Sequence, residues 1–288
     1  MRFAIMGAGK VGTALARLLS EAGYEFVGAA SRTLESAENA CRFAGGGRAS
    51  TDPAEVTRSA DLVLITVPDD AIRTVCEELA EHGAIRQGAV VAHCSGALPS
   101  TILEGARTVG AHVGSLHPMQ SFASAEQALR ILPGSTCCLE GDEEAVLVLE
   151  EVARSLGCEV IAIATAAKPL YHAAGCAASN YLVAVQELAL KLAAAAGIER
   201  TDAMQVLLPL VKGTVENFER LGSPACLTGP IARGDVETVR RHLQAIEDEA
   251  PDLLELYKVL GLQTVQIGLA KGSLSPQCAA ELKRLLTP

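Results

Sequence analysis

The segment KPLYHAAGCAASNYL, residues 168–182, sets Lys168, His172, Ser179 and Asn180 into an otherwise apolar, alanine-rich run. Lys168 stands four residues before His172, and Ser179 and Asn180 stand seven and eight after it. On a helix such offsets share one face. Histidine titrates in the physiological range, lysine donates protons, and asparagine can orient an oxygen. Together they suit hydride addition to a carbonyl or imine, where negative charge builds up or a proton is needed. His172, Asn180 and Lys168 are therefore the catalytic candidates, with Ser179 a candidate substrate contact. Structural roles are open to the same residues. His172 can bond a backbone carbonyl, and Lys168, just before Pro169 at a helix start, can sit in solvent. Cys176 reads as packing.

Hydride chemistry needs a carrier, and the N-terminus offers a place for one. GAGKVG, Gly7 to Gly12, has the form G-x-G-x-x-G. It follows the apolar run Phe3–Met6 and opens a helical stripe of Val11, Ala14, Leu15, Leu18 and Leu19, the context this pattern requires. Gly7 allows the tight turn, Gly9 lets a pyrophosphate approach the backbone, and Gly12 lets helix and strand pack closely. Lys10 and Val11 lie between them at the helix N-terminus, whose free N–H groups favour phosphate. A second strand spans Glu25–Ala30. After it, an NAD site would carry a carboxylate; here Ser31, Arg32 and Thr33 offer two hydroxyls and a guanidinium, which suit a 2′-phosphate. The expected cofactor is NADP.

Further sites end strands at the same sheet edge, where ligands bind in open α/β sheets. The buried run from Asp61 is stopped by Val67-Pro68, which can pack on the cofactor. His93-Cys94-Ser95-Gly96 and His117-Pro118-Met119-Gln120 close two more strands. His117 is a candidate substrate contact, although either histidine can be a satisfied structural residue. Far along the chain, LTGPIARGD, residues 227–235, reads as a connector between helices, with Asp235 as an N-cap.

Apolar strands alternate with helices as far as Thr165, and only helices follow. The pattern predicts an α/β, Rossmann-like doubly wound sheet over residues 1–164 and a helical domain for substrate and dimerisation over residues 165–288. A single long buried helix is expected from Lys168 to Ala196. That stretch could span a bilayer by length, but His172, Asn180, Gln186, Glu187 and Lys191 are costly in lipid. The chain has 288 residues, 49% of them hydrophobic and 20% charged, so it is globular rather than disordered. A net charge of −10 argues against nucleic acid as the main partner. Nine scattered cysteines without a CxxC pair read as reduced cytoplasmic thiols. Cys137 and Cys138 adjoin on a strand and so should point to opposite faces. The histidines form no ligand pair, and no metal is expected.

GAGKVG, SR, TVPDD, HCSG, LHPMQSF, KPLYHAAGCAASNYL and LTGPIARGD together resemble the oxidoreductases that join a Rossmann-like domain to a helical C-terminal domain, the DUF2520 family. The likeness covers nearly the whole chain. Wider relatives are the 6-phosphogluconate dehydrogenase-like enzymes. The resemblance implies NADP binding, oxidoreductase chemistry on a small-molecule substrate bound between the two domains, and a homodimer paired through the helical domain. In several of the wider relatives a lysine and, four residues later, an asparagine bind the reacting carbonyl. Asn180 matches that asparagine, but Cys176 stands where the lysine would be: either His172 or Lys168, one and two turns back on the same face, takes its role, or the chemistry differs. Thr228 and Arg233 fall in a motif of the family, and Arg233 can hold a substrate carboxylate. Two other readings are compatible with the same motifs: an NADP(H)-binding sensor without turnover, and an F420- or flavin-linked NADP reductase.

Overall fold

The computed structural model describes residues 1–287, and the chain divides into two compact units, the first Met1–Ser179 and the second from Asn180 onward. The first holds an eight-stranded sheet in the order β3-β2-β1-β4-β5-β6-β7-β8. Its strands are β1 (Arg2–Met6), β2 (Glu25–Ala30), β3 (Arg48–Ser50), β4 (Leu62–Ile65), β5 (Val90–His93), β6 (His112–Pro118), β7 (Thr136–Gly141) and β8 (Glu159–Ala162). Every neighbouring pair is parallel except β6 with β7. The helices between them are α1 (Lys10–Glu21), α2 (Leu34–Ala44), α3 (Pro53–Thr57), α4 (Ile72–Glu81), α5 (Glu104–Thr108), α6 (Ala125–Ile131) and α7 (Glu143–Ser155); α8 (Lys168–Ala178) ends the unit.

Strand periodicity explains why both faces of this sheet are dry. Phe3 and Ile5 of β1, with Leu62 and Leu64 of β4, join one core with α1 and α7. Their alternates Ala4, Met6, Val63 and Ile65 join a second core with α4. Successive side chains of a strand point to opposite faces, so a run such as LVLI must be covered twice. The adjacent cysteines obey the same rule. Cys137 joins the first core beside Cys158, while Cys138 lies beside Tyr171. All nine cysteines are free thiols, and five are buried.

The second unit is helical: α9 (Asn180–Ala195), α10 (Arg200–Leu221), α11 (Pro230–Arg233), α12 (Val236–Glu249), α13 (Leu254–Lys271) and α14 (Pro276–Leu286). Its core gathers Val239, Leu243, Val265, Leu274, Ala279, Leu282 and Leu286. Asp235 caps α12 as expected, accepting from the Thr238 backbone N–H at 3.1 Å. LTGPIARGD is not a plain connector, because it folds the short helix α11.

The single long helix expected from residue 168 is instead two, broken at Ser179, where φ is −112° and ψ −66°. Ser and Asn compete for backbone groups and weaken helix interiors, which accounts for a break at Ser179-Asn180. Nor are these helices buried. In α8 only Lys168 is, and in α9 only Leu188 and Leu190. Tyr181, Val183, Val206, Leu210 and Phe218 are more than half exposed on α9 and α10. Among the described residues no helix is long and apolar enough to cross a membrane.

Candidate active site

The loop after β1 is set by close backbone packing against the end of β4. Gly7 has φ +111°, and a Cβ there would lie 2.8 Å from the Thr66 carbonyl carbon and the Val67 nitrogen. At Gly12 a Cβ would lie 2.2 Å from the Gly7 carbonyl oxygen and 2.4 Å from Thr66 Oγ1. That hydroxyl donates to the Gly7 carbonyl at 2.7 Å and ties the two strand ends together. Gly9 differs: a Cβ there would meet no protein atom within 4 Å. It is the N-cap of α1 and supplies no side-chain cap, so the first N–H groups of the helix have no side-chain partner. A free helix N-terminus behind a closely packed glycine turn can receive a pyrophosphate. Lys10 is exposed beside it, and Val11 is half-buried.

At the end of β2, Ser31 is half-buried and Arg32 exposed. Arg32 makes no side-chain hydrogen bond or ion pair among the described residues. Thr33 is engaged: it is the N-cap of α2, and its hydroxyl accepts from the Ser36 N–H at 3.3 Å. Val67 packs on the second core, and Pro68 opens a short 3₁₀ turn.

A second constellation lies on β5, β6 and β7. His93, Ser115 and Glu140 stand in register as one row across these strands, and all three are buried. Lys168, at the start of α8, comes down on that row and is itself 0% exposed. Its ammonium donates to the Ser95 carbonyl at 2.7 Å and to Ser115 Oγ, and lies 3.7 Å from Glu140 Oε1. Glu140 is held in turn by the Ser100 N–H and hydroxyl, each at 2.8 Å. Burial pulls the Lys168 pKa down, against the opposing pull of Glu140. The Ser95 N–H donates to His93 Nδ1 at 3.1 Å, which places the imidazole proton on Nε2. Among the described residues that buried nitrogen has no partner. Burial, then the Lys168 charge, pushes His93 down to about 4, so it is neutral at physiological pH.

One row further along, His117 of β6 stands opposite Cys138 of β7. His117 Nδ1 is 2.9 Å from the Tyr171 hydroxyl. The His172 ring lies 6.0 Å from the His117 ring, centroid to centroid, at 76°, and His172 Nε2 is 3.6 Å from Cys176 Sγ. Both imidazoles close on Gly96, in the loop after β5. A Cβ at Gly96 would sit 2.6 Å from His172 Nδ1 and 2.7 Å from His117 Nε2. Burial, followed by the charges of Lys168 and His172, lowers His117 to about 4. Burial raises the Tyr171 phenol above its ordinary range. His117 and Tyr171 are thus a hydrogen-bonded pair, both neutral at rest.

The structure therefore brings His117, His172 and Lys168 into one neighbourhood within the first unit. Ser179 is exposed at the end of that unit. Asn180 and Arg233 belong to the second unit and are both exposed. Sequence reasoning missed Tyr171, Ser115 and Glu140, and it saw Gly96 only as part of a loop. A signal for Tyr171 existed, since it adjoins His172 one turn after Lys168. For Glu140 there was none, because the strand CCLEG says nothing of a partner on a distant helix. Among the described residues no group of histidine, cysteine and carboxylate side chains is placed to hold a metal ion.

Comparison with known proteins agrees with this architecture. A model described as a Rossmann-like domain matches residues 1–118, and one described as Domain of unknown function (DUF2520) matches residues 135–264. No curated protein matches the chain. Among solved structures, the chain is similar to a "putative NADP oxidoreductase" of Bacteroides fragilis, at 26% identity and a TM-score of 0.74, over 92% of this chain and 98% of that one. It is similar to protein TM1727 of Thermotoga maritima at 26% identity and a TM-score of 0.72, over 94% and 99% of the two chains. An imine reductase of a Pseudomonas species shares the fold at 19% identity, with a TM-score of 0.65 over 99% of each chain.

Proposed function

We propose that this chain, which carries a Rossmann-like domain and a DUF2520 domain, is an NADP(H)-dependent oxidoreductase acting on a small carbonyl or imine. The observation that carries the reading is the loop at residues 7–12. Gly7 and Gly12 are demanded by protein packing, while no protein atom explains Gly9 and the α1 N-terminus behind it carries no side-chain cap. A pyrophosphate accounts for both. The 26% identical Bacteroides protein, whose name carries NADP oxidoreductase, supports the same cofactor. When bound, the nicotinamide supplies or accepts the hydride. The chain's own residues do the rest. Arg32, with Ser31 and the exposed edge of Thr33, meets the 2′-phosphate, and Val67 and Pro68 flank the nucleotide. His172 holds the proton for the reacting atom, backed by the His117–Tyr171 pair. Asn180 is kept as a catalytic candidate, and Ser179 and Arg233 as candidate substrate contacts.

Titrating the apo protein with NADPH and NADH, by nicotinamide fluorescence, tests the cofactor. NADPH should bind more tightly, and Arg32→Ala should cost it about 10- to 100-fold, the worth of one or two charge-assisted hydrogen bonds, while NADH is unaffected. Equal binding of both nucleotides by the parent would remove NADP from the reading.

The unpartnered apolar face of the second unit points to a homodimer. Val206 and Leu210, one turn apart on α10, are 65% and 67% exposed. Apolar groups so placed in a row favour a protein partner over water. Sedimentation equilibrium should give twice the chain mass, and Val206→Glu with Leu210→Glu should return the monomer. A parent that sediments as a monomer at micromolar concentration would rule the pairing out.

A further inference from the structure

Lys168 has no access to solvent, and the proposed chemistry gives it no contact with substrate. Its surroundings describe a different task. The row His93–Ser115–Glu140 is one residue deep across three strands, and the row His117–Cys138 lies two residues further along β6 and β7. Two strand residues span roughly 6.6 Å. One turn of α8, from Lys168 to Tyr171 and His172, spans roughly 4.5–6 Å. The helix therefore keeps step with the sheet: Lys168 meets the first row, and Tyr171 meets the second at His117 and beside Cys138. Any slip of α8 along its axis would part Tyr171 from His117. Apart from Lys168 no residue of α8 is fully buried, and the rest of its hold on the sheet is lighter: Tyr171 on His117, and Gly175 close against Met119. The ammonium resists the slip, because its acceptors come from three separate segments: Ser95 after β5, Ser115 in β6 and Glu140 in β7.

We infer that Lys168 is the positioning residue of this site: its ammonium, fixed on Ser95, Ser115 and Glu140, sets the height and rotation of α8 and so holds Tyr171 and His172 against His117. A buried ion pair is a poor source of net stability but a good source of a single geometry. The inference rests on the oxidoreductase reading only for what the placed groups accomplish.

The test is the full chain carrying Lys168→Met with Glu140→Gln, which removes both charges, keeps both volumes and leaves no charge buried alone. Nitrogen-15 NMR of the histidine rings reads the outcome without any substrate. In the parent, His117 should show a neutral ring with one nitrogen bonded to Tyr171. The groups facing it are Lys168, Tyr171 and His172 from α8 and Cys138 from β7. In the double variant NADPH affinity should be unchanged and the tyrosine-bonded signature should be lost; His117 will also take up its proton at higher pH, but loss of the Lys168 charge alone does that, so the bonded signature decides. On any substrate that turns over, kcat should fall by about a hundredfold, the cost of an ångström-scale misplacement, with KM for NADPH unchanged. Ser115→Ala, which takes one acceptor from the ammonium and leaves both charges, should move the same signals less far. If the double variant does not fold, this second variant decides. A parent-like His117–Tyr171 bonded signature in whichever variant folds would reduce Lys168 to a stabilising role and overturn the inference. Failure of the parent to bind NADPH would instead overturn the oxidoreductase reading, with the His117 signature still to be read.

Discussion

Gly12→Ala will weaken nucleotide binding and destabilise the first unit, whereas Gly9→Ala will weaken binding alone. The two glycines look equivalent in the motif but are not equivalent in space. A methyl at Gly12 meets the Gly7 carbonyl oxygen at 2.2 Å and Thr66 Oγ1 at 2.4 Å, with Ile5 Cγ2 at 3.0 Å behind them. The first is backbone in the turn itself, and the second is fixed by its bond to that carbonyl, so neither can step aside cheaply. Overpacking of this kind costs about 1–3 kcal/mol, and more where backbone must move. It also breaks the hydrogen bond from Thr66 that joins the ends of β1 and β4. At Gly9 the methyl meets no protein atom, so the melting temperature should stay at the parent value. It would stand where the backbone must approach a pyrophosphate, and NADPH affinity should fall at least as far as in Arg32→Ala. Thermal denaturation and fluorescence titration of both variants separate the two effects. A Gly9→Ala protein that binds NADPH like the parent would place the nucleotide elsewhere.

The difference between those glycines also marks how far the sequence could be read. GAGKVG after a strand was legible because its requirements are local: a tight turn, a helix start and a buried stripe at known spacing. The strands β1, β2, β4, β5 and β6 were legible because a strand covered on both faces must be an unbroken apolar run. β3 was not, since Arg48, Ala49 and Ser50 form a three-residue edge with no such run. The helix break at Ser179 was masked by the alanines on either side, whose propensity favours continuation. Those alanines also suggested burial, yet most of α8 and α9 is exposed among the described residues. The site divides in the same way. His117 and His172 announced themselves by chemistry and position. Lys168 could be named, but its surroundings could not, because Ser95, Ser115 and Glu140 reach it only through the register of three strands. Gly96 looked like any glycine in a loop.

Gly96→Ala is expected to silence turnover while leaving the nucleotide in place. Gly96 has no positive φ to justify it, so the reason for a glycine is what a side chain would strike. A methyl there would press on two imidazoles at once, at 2.6 Å from His172 and 2.7 Å from His117. The rings are side-chain tips and can rotate away, so the loss of stability should be modest. The cost falls on their mutual geometry. His117 can retreat only by leaving the Tyr171 hydroxyl at 2.9 Å, and His172 only by shifting against Cys176 Sγ at 3.6 Å. Proton delivery requires donor and acceptor within about 2.6–3.2 Å, and a misplacement of 1 Å can cost a hundredfold in rate. The glycine loop is distant in the chain and untouched by the change, so NADPH should bind Gly96→Ala as it binds the parent. The expected signature is thus a kcat lowered by about a hundredfold with nucleotide affinity held, together with loss of the His117–Tyr171 signal in the histidine NMR spectrum. Full activity in Gly96→Ala would mean that the paired imidazoles do not serve the reaction, and the proton donor would have to be another titratable group or water.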